Sequence, residues 1–311
     1  MTAGEFVVLP PLEGLACIAP LRAYIARGNT DKSRETLRYS ISLVARVVGV
    51  APEQMPWASL RYEHTQVIRA ALADRYAPAT ANAALCALRG VLKEAWRQGL
   101  IPFDHYERAR DVRSVPGTRL PRGRWLPHLE LERVFENAAR ERDLALLALL
   151  YGAGLRRAEA AGLPLEGFDR TAEVLRIVGK GNKEREVPLP PATVPVLERW
   201  IAVRGDSPGT FLRPITKSGR VLERALSPSA IWARVRELAR LAGIAHFSPH
   251  DLRRTFASNL FDMDANAGDV SRLMGHSQVQ TTIRYDRRPD QQLRRTVARL
   301  PVPTTTSGRR S

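Results

Sequence analysis

Cysteine is nearly missing from this sequence: Cys17 and Cys86 are the only two in 311 residues. Two isolated thiols make neither a zinc site nor a disulfide framework, so a reducing cytoplasm is the compartment that fits. Lysine is scarce too. Lys32, Lys93, Lys180, Lys183 and Lys217 are the five among 48 basic residues, the rest being arginine. No apolar run is long enough to span a membrane, because "DLALLALLYGAGL" is interrupted by Asp143 and two glycines. The N-terminus lacks the basic-then-apolar order of a signal peptide. His64, His105, His128, His246, His250 and His276 show no HExxH spacing, and no aspartate cluster resembles a two-metal nuclease site. GxxxxGK[ST] is absent, so ATP is not indicated. These absences predict a soluble intracellular protein without metal or cofactor, whose chemistry comes from side chains alone.

What the chain does have is positive charge. Its formal net charge is +16 and its pI about 10.8. A polyanion is the obvious partner for that excess, and arginine grips phosphate with a planar two-pronged fork. A GC-rich genome accounts for the arginine bias equally well. The excess is uneven, +4 over residues 1–113 and +12 over 114–311, which places phosphate contact mainly in the later part.

The pattern divides the chain. Residues 1–16 are irregular. From 17 to 113 the apolar spacing is helical and predicts about four helices. "SRETLRYSISLVARVVGV" opens with Ser33, "TQVIRAALADRY" opens on Thr65 as an N-cap, and "TANAALCALRGVLKEAWRQGL" stops near Gly99. Residues 114–124 fall in a proline- and arginine-rich stretch without helical period and read as a linker. Helices are expected at 129–140, 142–152, 191–203, 228–242, 249–261, 267–274, 278–284 and 290–299. Strands are expected at 174–178 and 186–189, joined by a Gly-Lys-Gly-Asn turn. The tail 301–311 is polar and expected to be disordered.

Four stretches carry chemistry. In "SPHDLRRTFASNL", Ser248 caps a helix, Pro249 fits its first turn and Asp251 stands three after the cap. His250 and Arg253 then share one face at the positive end of the helix dipole, where an oxyanion or phosphate would bind. In "YGAGLRRAEAAGL", Arg156 leaves a buried helix end with Glu159 one turn later, either to orient it or as a plain internal salt bridge. In "VGKGNKEREV", Lys180 sits at a hairpin tip. A lysine can donate a proton there, as an arginine cannot readily do; a solvent-facing turn lysine is the ordinary alternative. In "GHSQVQTTIRYDRR", Ser277 with Gln280 reads as a capping box, and Tyr285 ends the helix beside Arg284, Arg287 and Arg288. Cationic neighbours favour phenolate, so Tyr285 is a nucleophile or a packed structural ring. Together the groups could clamp a phosphodiester, protonate its leaving oxygen and attack its phosphorus.

The set Arg156, Lys180, His250, Arg253, His276 and Tyr285 resembles the active site of the tyrosine site-specific recombinases, the phage-integrase family. The successive separations that carry the likeness, 24, 3, 23 and 9 residues for 156–180, 250–253, 253–276 and 276–285, are similar to those of its Xer-type members. The likeness covers 125–299, and more weakly 17–110. It implies a mainly α fold with a small β-hairpin or sheet: a helical core DNA-binding domain (17–113) and a mixed α/β catalytic domain (125–300). It implies that Tyr285 forms a 3′-phosphotyrosyl bond, that Arg156 and Arg253 bind the phosphate, that Lys180 is the general acid, that His250 assists proton transfer and that His276 bonds the phosphate. The implied partner is double-stranded DNA carrying a specific site, bound by a homotetramer that exchanges the C-terminal helix 290–300. No metal, nucleotide or membrane is implied. The chain departs from some members in lacking room for the extra helix of integron integrases and for an arm-binding domain before residue 17. The segment after Tyr285 is more similar to mobile-element integrases. Two other readings stay open: a type IB topoisomerase-like enzyme that relaxes DNA, and a non-catalytic DNA-binding accessory factor.

Overall fold

The computed structural model describes residues 18–117, 123–179, 183–276, 278–283 and 285–286. Lys180, Ser277, Arg284, Arg287, Arg288, the expected helix at 290–300, the tail at 301–311 and the first 16 residues lie outside them. The chain divides into two units, Met1–Leu120 and Pro121–Ser311.

The described residues of the first unit form five α-helices: α1 (Ala19–Ala26), α2 (Asp31–Val48), α3 (Tyr62–Arg75), α4 (Pro78–Arg97) and α5 (Phe103–Arg110). α2 starts before Ser33, because Thr30 is its cap: the Thr30 hydroxyl accepts the Ser33 N–H at 3.1 Å. α3 likewise starts three residues before Thr65, whose hydroxyl instead donates to the Tyr62 carbonyl at 2.7 Å inside the helix. Gly99, at φ +72°, follows the end of α4 as the sequence predicts. α4 is the central helix. Its apolar stripe of Leu85, Leu88, Val91 and Leu92 packs in one core with Leu21, Ile41, Val44 and Trp57, all fully buried.

The second unit begins its helices with α6 (His128–Glu136) and α7 (Glu141–Leu147). The expected helix at 142–152 does not run on as one piece: from Ala148 to Gly152 it widens into a π-turn. α8 (Arg157–Gly162) follows, then an antiparallel sheet ordered β1-β2-β3: β1 (Phe168–Asp169), β2 (Val174–Val178) and β3 (Glu184–Pro188). β3 begins earlier than its sequence suggests, since Glu184 to Glu186 are charged. These charges suit a strand with one face in solvent: Glu186 lies opposite Arg176 and pairs with it at 3.1 Å, while Val187 is buried. The remaining helices among the described residues are α9 (Val194–Arg204), α10 (Pro228–Leu241), α11 (Pro249–Asp262), α12 (Ala267–Met274) and α13 (Val279–Ile283).

The main core of this unit joins Leu146, Leu149 and Leu150 to Leu175, Trp200, Phe211 and Leu252. The Trp200 indole N–H is satisfied by the Phe211 carbonyl at 2.9 Å. A smaller cluster of Phe256, Phe261, Val270, Met274 and Tyr285 lies between α11 and α12. Among the described residues no helix is long and apolar enough to cross a membrane.

Candidate active site

Five of the six residues singled out above fall among the described ones, and all five line one cavity of about 650 Å³. Lys180 is the exception, outside the described residues. Glycine 179 and Lys183 close the neck of its hairpin through a 2.7 Å bond from the Gly179 N–H to the Lys183 carbonyl.

α11 supplies two groups from its first turns. Ser248 caps it as the spacing predicts: the Ser248 N–H and hydroxyl both donate to Asp251 Oδ2, at 2.8 and 2.7 Å. Asp251 Oδ1 accepts the Arg124 N–H at 2.9 Å, so one carboxylate holds the helix start to the chain that enters this unit. His250 and Arg253 then project from the same face. The Arg253 side chain is only 1% exposed. It donates to the carbonyls of Gly154 and Met274 and reaches His276 Nε2 at 3.2 Å. Burial, then repulsion from Arg156, brings its pKa down to about 9, so it stays a cation at neutral pH.

Arg156 comes from the loop after the π-turn. Gly154 turns this loop at φ +60°, and a Cβ there would strike the Phe256 ring. Arg156 is the N-cap of α8. Its backbone N–H donates to Glu159 Oε2 at 2.8 Å and its Nη1 to Glu159 Oε1 at 2.7 Å, while Nη2 donates to the Gly275 carbonyl at 2.9 Å. Its side chain is 38% exposed, against 1% for Arg253, so it is the arginine that faces solvent. Glu159 is a buried carboxylate. Burial pushes its pKa up, but bonds from Arg185 and from the Arg156 backbone outweigh this and hold it at about 2.

His276 follows α12, which ends at Gly275 with φ +59°. Because a guanidinium only donates, His276 Nε2 accepts from Arg253. The proton is therefore on Nδ1, which donates to the Thr282 hydroxyl at 2.7 Å. Burial and the charges of Arg253 and Arg156 lower the His276 pKa to about 4, so the ring is neutral at physiological pH. His250 is lowered as well, by partial desolvation and then by Arg254 and Arg253.

Tyr285 is 8% exposed, its edge facing the cavity. Its ring stacks on His276, with centroids 6.0 Å apart and 30° between planes, and meets His250 edge-on at 6.3 Å. The hydroxyl lies 3.3 Å from His250 Nε2. Its main chain is fixed at both ends: the N–H donates to the Thr282 carbonyl at 2.9 Å, and the carbonyl accepts the Ser258 hydroxyl at 3.0 Å. The phenol is thus in contact with the same space as both arginines.

Several neighbours escaped the sequence reading. Arg185 on β3 binds Glu159 with both prongs, at 2.9 and 2.8 Å. Arg254 lies over the Tyr285 ring, 5.6 Å from its centroid. Thr282 accepts from His276 Nδ1, and Trp232 lines the cavity wall. Only the hint that Glu159 orients Arg156 pointed toward this second layer. Among the described residues no group of three or more His, Cys, Asp or Glu could hold a metal ion.

A cavity lined by two fixed guanidiniums, two imidazoles of lowered basicity and a phenol can hold a tetrahedral oxyanion beside a nucleophile. Residues 124–292 match the phage integrase family, more than half of the chain, and the protein belongs to that family. Tyrosine recombinase XerC of Myxococcus xanthus is 32% identical over 227 residues, 69% of this chain and 73% of that protein. Among solved structures, the Tn1549 transposon integrase in complex with transposon right end DNA is similar with a TM-score of 0.71 at 16% identity, covering 91% of this chain and 100% of that one. A lambda integrase tetramer bound to a Holliday junction gives 0.63 at 16% identity, over 86% and 76% of the two chains. The architecture, mostly helical with one small antiparallel sheet, is that of the integrase catalytic domain.

Proposed function

We propose that this protein is a site-specific DNA recombinase that breaks and rejoins strands through a 3′-phosphotyrosyl bond to Tyr285. The observation that carries this reading is the Tyr285 hydroxyl, set 3.3 Å from His250 Nε2 in the cavity that Arg156 and Arg253 line. In the forward step the phenol oxygen attacks the scissile phosphorus while the bond to the 5′-oxygen breaks. The phenol proton passes to His250 Nε2, the nitrogen that faces the hydroxyl, with the ring proton held on Nδ1; burial and the neighbouring arginines favour the neutral ring. Arg156 and Arg253 hold the non-bridging oxygens, and His276, whose Nε2 accepts from Arg253, steadies that guanidinium against them. Lys180 protonates the departing 5′-oxygen. The reverse sequence reseals the strand, so the phosphotyrosyl bond conserves the energy that ligation needs.

Double-stranded DNA is the substrate, and the +12 charge of residues 114–311 supports this. Residues 17–113 act as the core DNA-binding domain, 114–124 as linker and 125–300 as the catalytic domain. The working assembly is a homotetramer on two paired sites in the cytoplasm, with segment 290–300 passed to a neighbouring copy. A mostly apolar cavity of about 570 Å³, lined by residues including Leu131, Phe135, Tyr151, Phe256 and Leu260, is a suitable receiver for that segment. The likeness to XerC favours strand exchange over simple relaxation or an accessory role.

The test is covalent capture. The chain is incubated with a pool of nicked random-sequence duplexes, denatured in detergent, and the protein-linked DNA is sequenced. Wild type is expected to yield one enriched sequence, and Tyr285→Phe to bind that sequence without forming an adduct. An adduct that survives Tyr285→Phe would refute the assignment.

A further inference from the structure

Arg185 is none of the six residues above, yet its guanidinium joins three elements that carry them. It lies on β3 opposite Ile177 of β2, next to the neck of the hairpin. Its side chain is 12% exposed and every nitrogen of its head is used. Nη1 and Nη2 take the two oxygens of Glu159, and Nε donates to the Leu273 carbonyl at 3.0 Å. Glu159 in turn holds the backbone and side chain of Arg156, and lies 3.9 Å from Arg253 Nη1. The turn before His276 rests on the same group: a Cβ on Gly275 would come within 2.9 Å of Arg185 Nη1.

Three guanidiniums therefore surround one buried carboxylate. A planar fork bonded at both prongs neutralises most of that charge and fixes its orientation. Without it, Glu159 would keep a full negative charge beside Arg156 and Arg253, and would compete with any phosphate for them. We infer that Arg185 is a positioning residue: by saturating Glu159 it leaves the outer N–H groups of Arg156 free for the scissile phosphate, keeps the carboxylate from drawing Arg253 away from it, and seats the turn that carries His276. This rests on the reading of the cavity as a phosphodiester clamp.

The experiment compares wild type, Arg185→Ala and Arg185→Lys in single-turnover adduct formation. The probe is a nicked duplex of the captured sequence, made with either an ordinary scissile phosphodiester or a charge-neutral methylphosphonate. On the phosphodiester, Arg185→Ala is expected to slow adduct formation on the order of 100-fold, as loss of a preorganised charge contact does. Non-covalent binding of the same duplex should be unchanged. On the methylphosphonate there is far less charge for the arginines to hold, so variant and wild type should differ much less. Arg185→Lys should fall between them, since an ammonium reaches one carboxylate oxygen but cannot fork. Equal losses on the two linkages would mean that Arg185 merely supports the fold, and would overturn the inference; so would full activity of Arg185→Ala. If Arg185→Ala does not fold, the same comparison of linkages is decided with Arg185→Lys. A wild-type chain that traps no DNA would refute the recombinase reading itself, and this inference with it.

Discussion

Replacing Glu159 by glutamine keeps its shape and removes its charge, and its cost can be worked from the site. The carboxyl is held at about 2 against an ordinary 4.5. With roughly 1.4 kcal/mol for each unit of pKa, that depression favours the folded state by at most about 3.5 kcal/mol. The groups facing it are Arg156, Arg185 and Arg253, and the glutamine would leave all three without their common counter-ion. Breaking a buried pair in this way costs on the order of 3 to 5 kcal/mol, consistent with the first figure. The sign follows from the direction of the shift. A lowered folded-state pKa gives stability that is complete above 4.5 and is lost as pH falls through 2. Urea denaturation of wild type and Glu159→Gln, followed by circular dichroism, should show a gap of about 3 kcal/mol at pH 7, or roughly 6 to 12 °C in Tm for a unit of this size. The gap should narrow steadily below pH 4.5. A difference under about 1 kcal/mol at pH 7, the worth of an ordinary surface pair, would refute the reasoning. So would a gap that stays constant down to pH 3.

Further expectations concern single groups. Lys180→Ala should slow adduct formation far more than Lys183→Ala, and a sulfur in place of the 5′-bridging oxygen should restore Lys180→Ala, because a thiolate leaves without a proton; equal losses would sink the general-acid role. Gly154→Ala forces a Cβ onto φ +60° and against Phe256, and should destabilise the second unit by about 2 to 4 kcal/mol in the same denaturation assay. Thr282→Val leaves the buried His276 Nδ1–H without its acceptor, at a cost of about 1 to 3 kcal/mol, and should slow cleavage as the ring turns or changes tautomer.

Much of the site was legible because its signals are local. The Ser248–Asp251 cap, the Arg156–Glu159 turn and the β-hairpin each lie within a few residues, and the chain order of six side chains of four kinds is specific. What escaped depends on distance in sequence or on weak local preference. Arg185 and Glu159 are far apart in the chain, so nothing near either announces the other. β1 is too short to show an alternating pattern. The π-turn at Ala148–Gly152 lies in an all-apolar run where every turn width buries the same surface. α3 begins ahead of Thr65, a good cap by type, because that side chain gives its hydroxyl to the Tyr62 carbonyl instead.

The contacts of Tyr285 bear on how many molecules a cut requires. Its ring lies between two imidazoles of its own chain, and its backbone is tied to Ser258 and Thr282 of that chain. Each subunit would then carry its own blade against its own strand.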